Sequence, residues 1–365
     1  MFLKDKVMRQ IKIDGRSIGD GYPPYIVAEM SGNHNHDLTR ALSIIDAAKL
    51  AGADAVKLQT YRANTITIDH HSDDFIVQGG LWHGRRLFDL YEEAHTPWEW
   101  HESMFDYAKK IGITIFSSPF DDTAVDFLED LGIPAYKIAS PELIDLPLIR
   151  KVARTGKPII MSTGAANLEE ITEAIQTARD SGANELVVLH CTAAYPAPLE
   201  EANLATIREL ADRFNVVTGL SDHTLGTTVA ALAVGLGASV IEKHFTLARS
   251  DGGVDSAFSL EPQELADLVV TARTAKSAIG KPTFSPTESE SNVLKNRRSL
   301  YVVKAICKGE LLTSENIRSI RPANGLKPKY LDLVIGRRAA RDLHFGDPLS
   351  LDMIENNTEI LANSY

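Results

Sequence analysis

Residues 216–244 read VVTGLSDHTLGTTVAALAVGLGASVIEKH, and this stretch decides the fold. The apolar runs Val216–Thr218 and Val240–Ile241 predict two strands, because short apolar runs bounded by glycine or polar residues are typical of buried strands. The segment Thr224–Leu236 between them has the periodicity of a helix and is followed by glycine. A strand, a helix and a second strand in this order predict a parallel βαβ unit.

The same order of strand and helix repeats along the chain. Six further apolar runs precede this unit: Tyr25–Ala28, Ala55–Leu58, Ile113–Phe116, Ala135–Ile138, Pro158–Met161 and Leu186–Leu189. Helix signals lie between them, as in Asn167–Glu170, which has the pattern of a capped helix start. Eight such units predict an α/β fold closed into a (β/α)8 TIM barrel. An open doubly wound sheet is the alternative, but no Gly-x-Gly-x-x-Gly follows the first strand.

The chain is longer than a plain barrel requires. Its 365 residues exceed the roughly 250 of a typical barrel, so a second domain is expected. KPTFSPTESESNVLKN, rich in Pro, Ser, Thr and Glu, predicts a linker, and the short strand-like pieces after it predict a small β-rich module. We expect a barrel domain over residues 1–280, a linker over 281–296, a β-rich domain over 297–357 and a tail over 358–365.

Charge, hydropathy and cysteine content exclude several classes of protein. A net charge of -11 argues against nucleic-acid binding, although the local field of a cleft can still favour an anionic substrate. The amino-terminal residues have no apolar signal-peptide core and no run of 18 apolar residues occurs, so neither export nor a membrane association is expected. Cys191 and Cys307 lie in different predicted domains, which predicts free thiols and a cytoplasmic location.

One connection between predicted strands is unusually long. It runs from Tyr61 to about Pro97 and is rich in His, Trp and Tyr. Long loops in compact domains are often functional, and in a barrel this one would overhang the carboxyl-terminal mouth. A lid or specificity loop is the favoured interpretation, and a surface insertion is the alternative.

Two histidines are the best candidates for metal ligands. His223 and His244 follow the seventh and eighth predicted strands, whose ends are neighbours in a barrel. Neutral imidazole is a common ligand of divalent transition metals. A pair of histidines without other context is more often structural, but the matched positions at two strand ends favour a metal site.

Lysines and hydroxyl groups follow other strands of the predicted barrel. The set consists of Lys57, Lys137, Ser117, Ser140, Ser162 and Ser221. Together they supply the positive charge and the donors that a phosphate or carboxylate requires. A single serine at a strand end is usually only a local hydrogen-bonding residue. A lysine that forms a Schiff base, as in barrel aldolases, is the alternative function for this set.

Carboxylates complete the polar rim. Glu29, Glu142, Glu242 and Asp255 are candidates for acid or base catalysis, or for orienting sugar hydroxyls. The alternative is that Glu29 and Glu242 only neutralise Lys57 and Lys243, and for Glu242 the two interpretations have equal weight.

Several strings of the sequence resemble one enzyme family. AEMSGNHNH, DAVKLQTY, KIASPEL, HCTAAYPAP, GLSDHT, EKHF and the trailing RP-x-N-G resemble the sialic acid synthases, which condense phosphoenolpyruvate with an N-acylated amino sugar. The resemblance extends from about residue 20 to residue 355. Within the family, SGNHNH and GLWHGRRLFDLYEEAHTPWEW are most similar to the branch that makes pseudaminic acid.

The resemblance implies roles for residues already selected. His223 and His244 are expected to hold a divalent ion, most often manganese with magnesium or cobalt as alternatives, and Asp255 lies beside the sugar. The residues expected around phosphoenolpyruvate are Lys57, Lys137, Ser140, Ser162 and Ser221, and Glu29, Glu142 and Glu242 are expected to line the reacting centre. Ser117 and Tyr195 are further candidate substrate contacts.

The tail and one substitution refine this expectation. The β-rich module resembles an antifreeze-like (SAF, β-clip) domain, which in this family swaps across a homodimer so that an arginine matching Arg321 reaches the partner's site. Neuraminate-type members commonly read HCTN where this chain reads HCTA, with Ala193 at the amide position. The change suits a different amino sugar, such as a trideoxy diacetamido hexose.

The expected activity is that of a transferase that forms a C–C bond. Phosphoenolpyruvate, 2,4-diacetamido-2,4,6-trideoxy-β-L-altropyranose and water would give pseudaminic acid and phosphate, and the product would decorate a surface glycan such as that of flagellin. The alternatives are an N-acetylneuraminate or legionaminate synthase of the same family and, less favoured, a pyruvate-dependent aldolase. A non-enzymatic glycan-binding or ice-binding protein is disfavoured by the complete polar rim.

Overall fold

A short hairpin precedes the barrel in the computed structural model, which describes residues 8–357. Its strands are β1 (Gln10–Ile13) and β2 (Arg16–Gly19), paired antiparallel. Ile11, Ile13 and Ile18 of the hairpin pack against Tyr25 and other apolar residues of the barrel interior. Because Tyr25 begins the first barrel strand, the hairpin closes the amino-terminal end of the barrel and leaves the opposite end as the mouth.

Eight parallel strands close into the barrel. They are β3 (Tyr25–Glu29), β4 (Ala55–Thr60), β5 (Thr114–Pro119), β6 (Tyr136–Ile138), β7 (Ile159–Ser162), β8 (Leu186–Cys191), β9 (Val217–Asp222) and β10 (Val240–His244). The strands pair in chain order, and β10 returns to pair with β3. The predicted TIM barrel is therefore confirmed, and each of its strands overlaps one of the eight apolar runs in the sequence.

Helices lie between the strands and cover the barrel. They are α1 (Leu38–Ala51), α2 (Ala63–Ile66), α3 (Leu87–Ala94), α4 (His101–Ile111), α5 (Asp122–Asp130), α6 (Leu146–Arg154), α7 (Leu168–Asp180), α8 (Thr206–Phe214), α9 (Thr228–Gly235) and α10 (Pro262–Ile279). The Asn167 side chain accepts the backbone N–H of Glu170 at the start of α7, and the Glu170 side chain accepts the backbone N–H of Asn167. This is the capping pattern that the sequence predicts. Among the helices within residues 8–357, none is long and apolar enough to cross a membrane.

The long connection after β4 is ordered into small elements. It contains α2, a single 3-10 turn at Asp73–Phe75 and α3, which the sequence pattern does not predict. The indole N–H of Trp82, in the middle of this segment, donates to the carbonyl of Val254 at 3.0 Å. Since Val254 immediately precedes Asp255, the segment is attached to the loop that carries one of the candidate site residues.

The chain divides into two compact units, residues 1–280 and 281–365. The second unit contains α11 (Ser291–Lys295), β11 (Ser299–Val302), β12 (Ile317–Ile320) and α12 (Leu331–Val334), with β11 and β12 paired antiparallel. It has a hydrophobic core of its own that includes Leu300 and Leu349. The predicted domain limits stay predictions, and the predicted tail over 358–365 lies outside the described residues.

Candidate active site

Two buried lysines share one carboxylate in the barrel lumen. Lys57 Nζ lies 2.6 Å from Glu29 Oε2 and 3.6 Å from Glu242 Oε1. Lys137 Nζ, from β6 on the opposite side of the barrel, lies 3.5 Å from the same Glu242 oxygen. All four side chains are buried. The structure thus brings together four of the residues selected from the sequence.

The electrostatics of this cluster favour the charged forms of Glu242 and Lys57. Burial acts to raise the pKa of Glu242, but the ammonium groups of Lys137 and Lys57 outweigh it and lower that pKa to about 2. Burial acts to lower the pKa of Lys57, but Glu242 and Glu29 outweigh it and raise that pKa. For Lys137 burial prevails over Glu242, and its pKa is lowered. Lys57 is therefore a stable cation, whereas the carboxylates compensate the burial of Lys137 less fully.

Three of the candidate serines lie around this cluster with different partners. Ser221 Oγ donates to Glu242 Oε1 at 3.2 Å, and Ser140 Oγ accepts the backbone N–H of Gly164 at 3.0 Å. Ser162 Oγ is buried and has no hydrogen-bond partner among residues 8–357. A buried hydroxyl group normally has a partner, so Ser162 is the serine best placed to bind a ligand.

The fourth serine belongs to a chain of hydrogen bonds whose direction is fixed. His101 Nδ1 lies 3.2 Å from the carbonyl of Pro97, which can only accept, so this nitrogen carries the proton. Burial lowers the pKa of His101 to about 4, which leaves Nε2 without a proton. The Thr60 hydroxyl, 2.8 Å away, must then donate to Nε2, and Ser117, 2.6 Å from Thr60, must donate to Thr60. Phe116 packs in the barrel interior and Ile115 against the helices, so Ser117 faces α4 and does not line the lumen, contrary to the expectation from the sequence. The serine of β5 that enters the lumen is Ser118, whose Oγ lies 3.4 Å from Lys57 Nζ.

His223 and His244 lie side by side at the mouth, with ring centroids 5.3 Å apart. His223 Nδ1 donates to the carbonyl of Thr192 at 3.0 Å, which leaves Nε2 as the atom with a free lone pair. Burial, with a smaller contribution from His244, lowers the pKa of His223 to about 3. The imidazole is therefore neutral at physiological pH, which is its metal-binding form.

Asp255 is the third group beside the histidine pair. Its Oδ2 lies 3.3 Å from His244 Nδ1, and that nitrogen is buried without a hydrogen bond to any described residue. Burial acts to raise the pKa of Asp255, but His244 outweighs it and the pKa is lowered. Within residues 8–357 no three His, Cys, Asp or Glu side chains form a complete metal site. The neutral imidazole of His223 and the unpaired Nδ1 of His244 still fit a partly protein-held divalent ion, whose other positions would be open.

Aromatic side chains form a wall over the histidines. The Tyr195 ring lies 4.4 Å from that of His223 and 5.3 Å from that of Phe258, and Trp82 lies 5.5 Å from Tyr195, centroid to centroid. Tyr195, a candidate from the sequence, is thus beside the metal candidates. Trp82 lies in the long aromatic segment that the sequence predicts to be a lid or specificity loop, whereas Phe258 is an addition from the structure.

Glu142 follows β6 in a 3-10 turn, Pro141–Ile144. Its Oε2 is buried and has no hydrogen-bond partner in the described part of the chain. Burial raises the pKa of Glu142 from 4.5 to about 7. A carboxyl group that is half ionised near neutral pH has the ordinary property of a general acid or base.

Two pairings settle the alternative interpretation of the glutamates. Glu29 does pair with Lys57, as that alternative predicted. The predicted pairing of Glu242 with Lys243 is wrong, because Lys243 Nζ lies 2.9 Å from Asp222 Oδ2 instead. Adjacent residues of a strand point to opposite faces, so Glu242 faces the lumen and Lys243 the surrounding helices. Gln59 donates to Glu29 at 3.0 Å and was not among the site residues selected from the sequence.

Arg321 is the one candidate that lies outside the barrel unit. It follows β12 in the second unit, where it lines a cavity together with Arg297 and Arg298. Three guanidinium groups around one cavity favour an anionic or polar ligand.

Fold and site together define a (β/α)8 enzyme whose mouth suits a small anionic substrate. The pattern of the NeuB family matches residues 44–283, and that of the SAF domain matches residues 297–355. The chain belongs to the NeuB family. The predicted SAF domain is confirmed as well.

Curated relatives cover nearly the whole chain. A pseudaminic acid synthase of Helicobacter pylori is 45% identical over 337 residues, which are 92% of this chain and 99% of the relative. One from Campylobacter jejuni is 45% identical over 328 residues, 89% of this chain and 95% of the relative. A solved N-acetylneuraminic acid synthetase from Leptospira borgpetersenii is 30% identical with a TM-score of 0.71, covering 79% of this chain and 96% of that one.

We predict that replacing Glu142 by glutamine changes how stability depends on pH. The Glu142 carboxyl group has a pKa of about 7 in the folded protein and 4.5 in the unfolded chain. Between these two pH values the folded protein binds one proton more than the unfolded chain does. Stability from this group is therefore present at low pH and lost as pH rises toward 7. Glu142→Gln should be more stable than the wild type at pH 8 by about 1–3 kcal/mol, and the gain should vanish near pH 4.

Urea unfolding at a series of pH values measures this difference. The exposed Glu200, replaced by glutamine, is the control and should leave the profile unchanged. Parallel pH profiles of the wild type and Glu142→Gln would show that the Glu142 carboxyl group titrates normally.

Proposed function

We propose that the protein condenses phosphoenolpyruvate with 2,4-diacetamido-2,4,6-trideoxy-β-L-altropyranose and water to give pseudaminic acid and phosphate. The observation that carries this proposal is the pair of buried lysines beside the two histidines in one mouth. The lysines can bind an anion, and a metal ion on the histidines could polarise a carbonyl group next to it. The 45% identity to pseudaminic acid synthases of two organisms favours this member of the family. The product is expected to enter a surface glycan, such as that of flagellin.

The proposed reaction forms one C–C bond and replaces the C–O bond between C2 and phosphate by one to a water oxygen. C3 of phosphoenolpyruvate attacks the aldehyde carbon of the open-chain sugar, and water adds to C2 while one of its protons goes to the former aldehyde oxygen. The tetrahedral intermediate then expels phosphate by cleavage of its C–O bond, and its hydroxyl group gives the second water proton to the phosphate as the C2 carbonyl forms. Holding both reactants in register is the main contribution of the site.

The residues of the lumen have separate roles in this proposal. Lys57 and Lys137 bind the phosphoenolpyruvate anion, and Glu242 keeps both cations in place. Ser162 and Ser140 donate to the same anion, and Ser221 supports the site by donating to Glu242. Glu142 is suited to move the proton of the attacking water, because its pKa of about 7 permits both states at neutral pH.

Electrostatic binding by the lysines is preferred over imine formation. An imine requires a neutral amine, whereas Glu242 and Glu29 raise the pKa of Lys57 and keep it charged. Burial lowers the pKa of Lys137, so Lys137 is the lysine on which the aldolase alternative is tested. Borohydride trapping of a pyruvyl adduct on Lys57 or Lys137 would instead support the aldolase alternative.

His223 and His244 would hold a divalent cation, with manganese preferred and magnesium or cobalt as alternatives. When bound, such an ion acts as a Lewis acid that polarises a carbonyl group. Thr192 fixes the tautomer of His223, and Asp255 lies beside His244, ready to orient the ring or a sugar hydroxyl. Tyr195 lies against His223 and shields this end of the site from water.

We also propose a domain-swapped homodimer in the cytoplasm. Arg321 lies in the second compact unit, in a cavity with two further arginines, and the family resemblance assigns it to the amino sugar in the partner's barrel. The free thiols of Cys191 and Cys307 suit a reducing compartment.

Sugar preference distinguishes the proposed activity from its alternatives. Mixing the enzyme with phosphoenolpyruvate and each candidate sugar should release phosphate fastest with the trideoxy diacetamido altrose. The wall of Tyr195, Trp82 and Phe258 favours a deoxy sugar, but apolar contact rejects a hydroxylated analogue only by about 10²-fold in kcat/KM. A higher kcat/KM for N-acetylmannosamine or for the legionaminate precursor would assign the enzyme to another branch, and use of pyruvate without phosphate release would indicate an aldolase.

A second prediction concerns the metal. Chelation should abolish phosphate release, and manganese, cobalt or magnesium should restore it, because the ion supplies carbonyl polarisation that no side chain replaces. The double variant His223→Ala, His244→Ala should not recover on metal addition. His344→Ala, at an exposed position, serves as the control and should respond as the wild type does. Full activity of the double variant after metal removal would contradict the assignment.

Subunit complementation tests the dimer. His223→Ala and Arg321→Ala should each be nearly inactive, because each site requires a barrel from one chain and Arg321 from the other. After subunit exchange the mixture should regain up to about a quarter of the wild-type activity, since half of the dimers are then mixed and each holds one intact site. Exchange without any recovered activity would show that Arg321 does not act across a dimer.

A further inference from the structure

An ion pair lies directly behind the two histidines. Asp222 and Lys243 are register partners on β9 and β10, and each is the residue immediately before His223 or His244. Lys243 Nζ lies 2.9 Å from Asp222 Oδ2, and both side chains are only 1% exposed. The pair lies on the face of the strands opposite to the lumen, so it does not touch a substrate.

Lys243 uses its whole donor capacity on the chain around His223. Its ammonium group donates to Asp222 Oδ2, to the carbonyl of Thr224 at 2.6 Å and to the carbonyl of Gly226 at 2.8 Å. An ammonium group has three protons, so every one is used. The turn that follows β9 is thereby wrapped around a side chain of β10.

Asp222 fixes the same turn from its other oxygen. Oδ1 accepts both the backbone N–H of Thr224 at 2.9 Å and its hydroxyl at 2.8 Å. His223 lies between these two residues, so the backbone on both sides of it is fixed. The position of His223 relative to His244 is consequently set by one buried network.

The other hydrogen bonds of His223 run to the segment that follows β8. Its carbonyl accepts the N–H of Ala197 at 2.9 Å, and its Nδ1 donates to the carbonyl of Thr192 at 3.0 Å. Neither contact involves β10. The network of Asp222 and Lys243 is therefore the link between the backbones that carry the two rings, beyond the ladder of the strands themselves.

Stability alone is a poor reason for such a pair. Removing two charges from water is costly, and replacing a buried ion pair by well-packed apolar residues is often neutral or stabilising. A network with fixed donor and acceptor directions does, however, permit only one arrangement of the groups attached to it.

We propose that Asp222 and Lys243 are positioning residues that set the spacing of His223 and His244 for a divalent cation. The inference rests on the proposed function, since it assumes that these histidines bind the metal. Groups behind a metal ligand typically change metal affinity by 10–100-fold when removed, although they touch neither metal nor substrate.

The test uses the full chain and measures metal binding directly. Lys243→Met and Asp222→Asn keep the approximate size of each side chain and remove its charge. Manganese affinity is measured from the electron paramagnetic resonance signal of the free ion, and cobalt binding from its visible absorption. We expect both variants to bind manganese 10–100-fold more weakly and to change the cobalt spectrum. The double variant should be no weaker than the worse single variant, because the pair acts as one unit.

Lys157→Met is the matched control. Lys157 also forms a lysine–carboxylate pair, 2.6 Å from Glu129, but at the amino-terminal end of the barrel. It should lose some thermal stability while its manganese affinity stays that of the wild type. If Lys243→Met does not fold, Asp222→Asn decides the matter, since its lysine keeps both carbonyl contacts.

Two adverse results are distinguishable. Wild-type affinity and an unchanged cobalt spectrum in the folded variants would overturn the positioning role alone and leave the pair a structural feature. Equal metal binding by the wild type and by His223→Ala, His244→Ala would overturn the metal assignment in the proposed function, and the positioning role with it.

Discussion

The buried carboxylate of Glu242 is the group on which the rest of the barrel mouth depends. Lys57 and Lys137 approach its Oε1 at 3.6 and 3.5 Å from strands on different sides of the lumen. Burying an ammonium group without a partner is prohibitively costly, so neither lysine could stay charged in this lumen without nearby carboxylates. Only a closed barrel brings β6 and β10 face to face across such a small interior. The charged cluster therefore requires a closed sheet.

The two-residue period of a strand divides the remaining charges between two faces. On β10, Glu242 points into the lumen while Lys243 points toward the helices, and on β9 the same holds for Ser221 and Asp222. One face forms a charged cluster that an anionic substrate can enter. The other forms a closed network whose donors and acceptors are used up. A one-residue change in register would exchange the two faces, so the register of these strands has chemical as well as structural importance.

The sequence predicted the parts of this arrangement that local patterns determine. Eight apolar runs with helices between them were enough for the barrel, and strand ends were enough to bring Lys57, Lys137 and Glu242 to one mouth. The hairpin β1–β2 was not predicted, because four-residue strands have little pattern of their own. The partner of Lys243 was wrongly predicted from its neighbour Glu242. The partner of a charged side chain depends on the face of the strand from which it projects, and Asp222 lies 21 residues before Lys243. Neither fact can be inferred from the residues next to Lys243 in the sequence.

The face of a strand is the other property that requires the fold. Ser117 and Ser118 both follow the apolar run of β5, and adjacent letters do not show which of them enters the lumen. Phe116 packs in the barrel interior, so Ser118 shares its face and its Oγ lies 3.4 Å from Lys57 Nζ. Ser117 faces the helices instead, where it bonds to Thr60 and, through Thr60, to His101 of α4. Because the faces of a strand alternate with a period of two, an error of one residue in the sequence reading exchanges a lumen hydroxyl for one that no substrate in the lumen can reach.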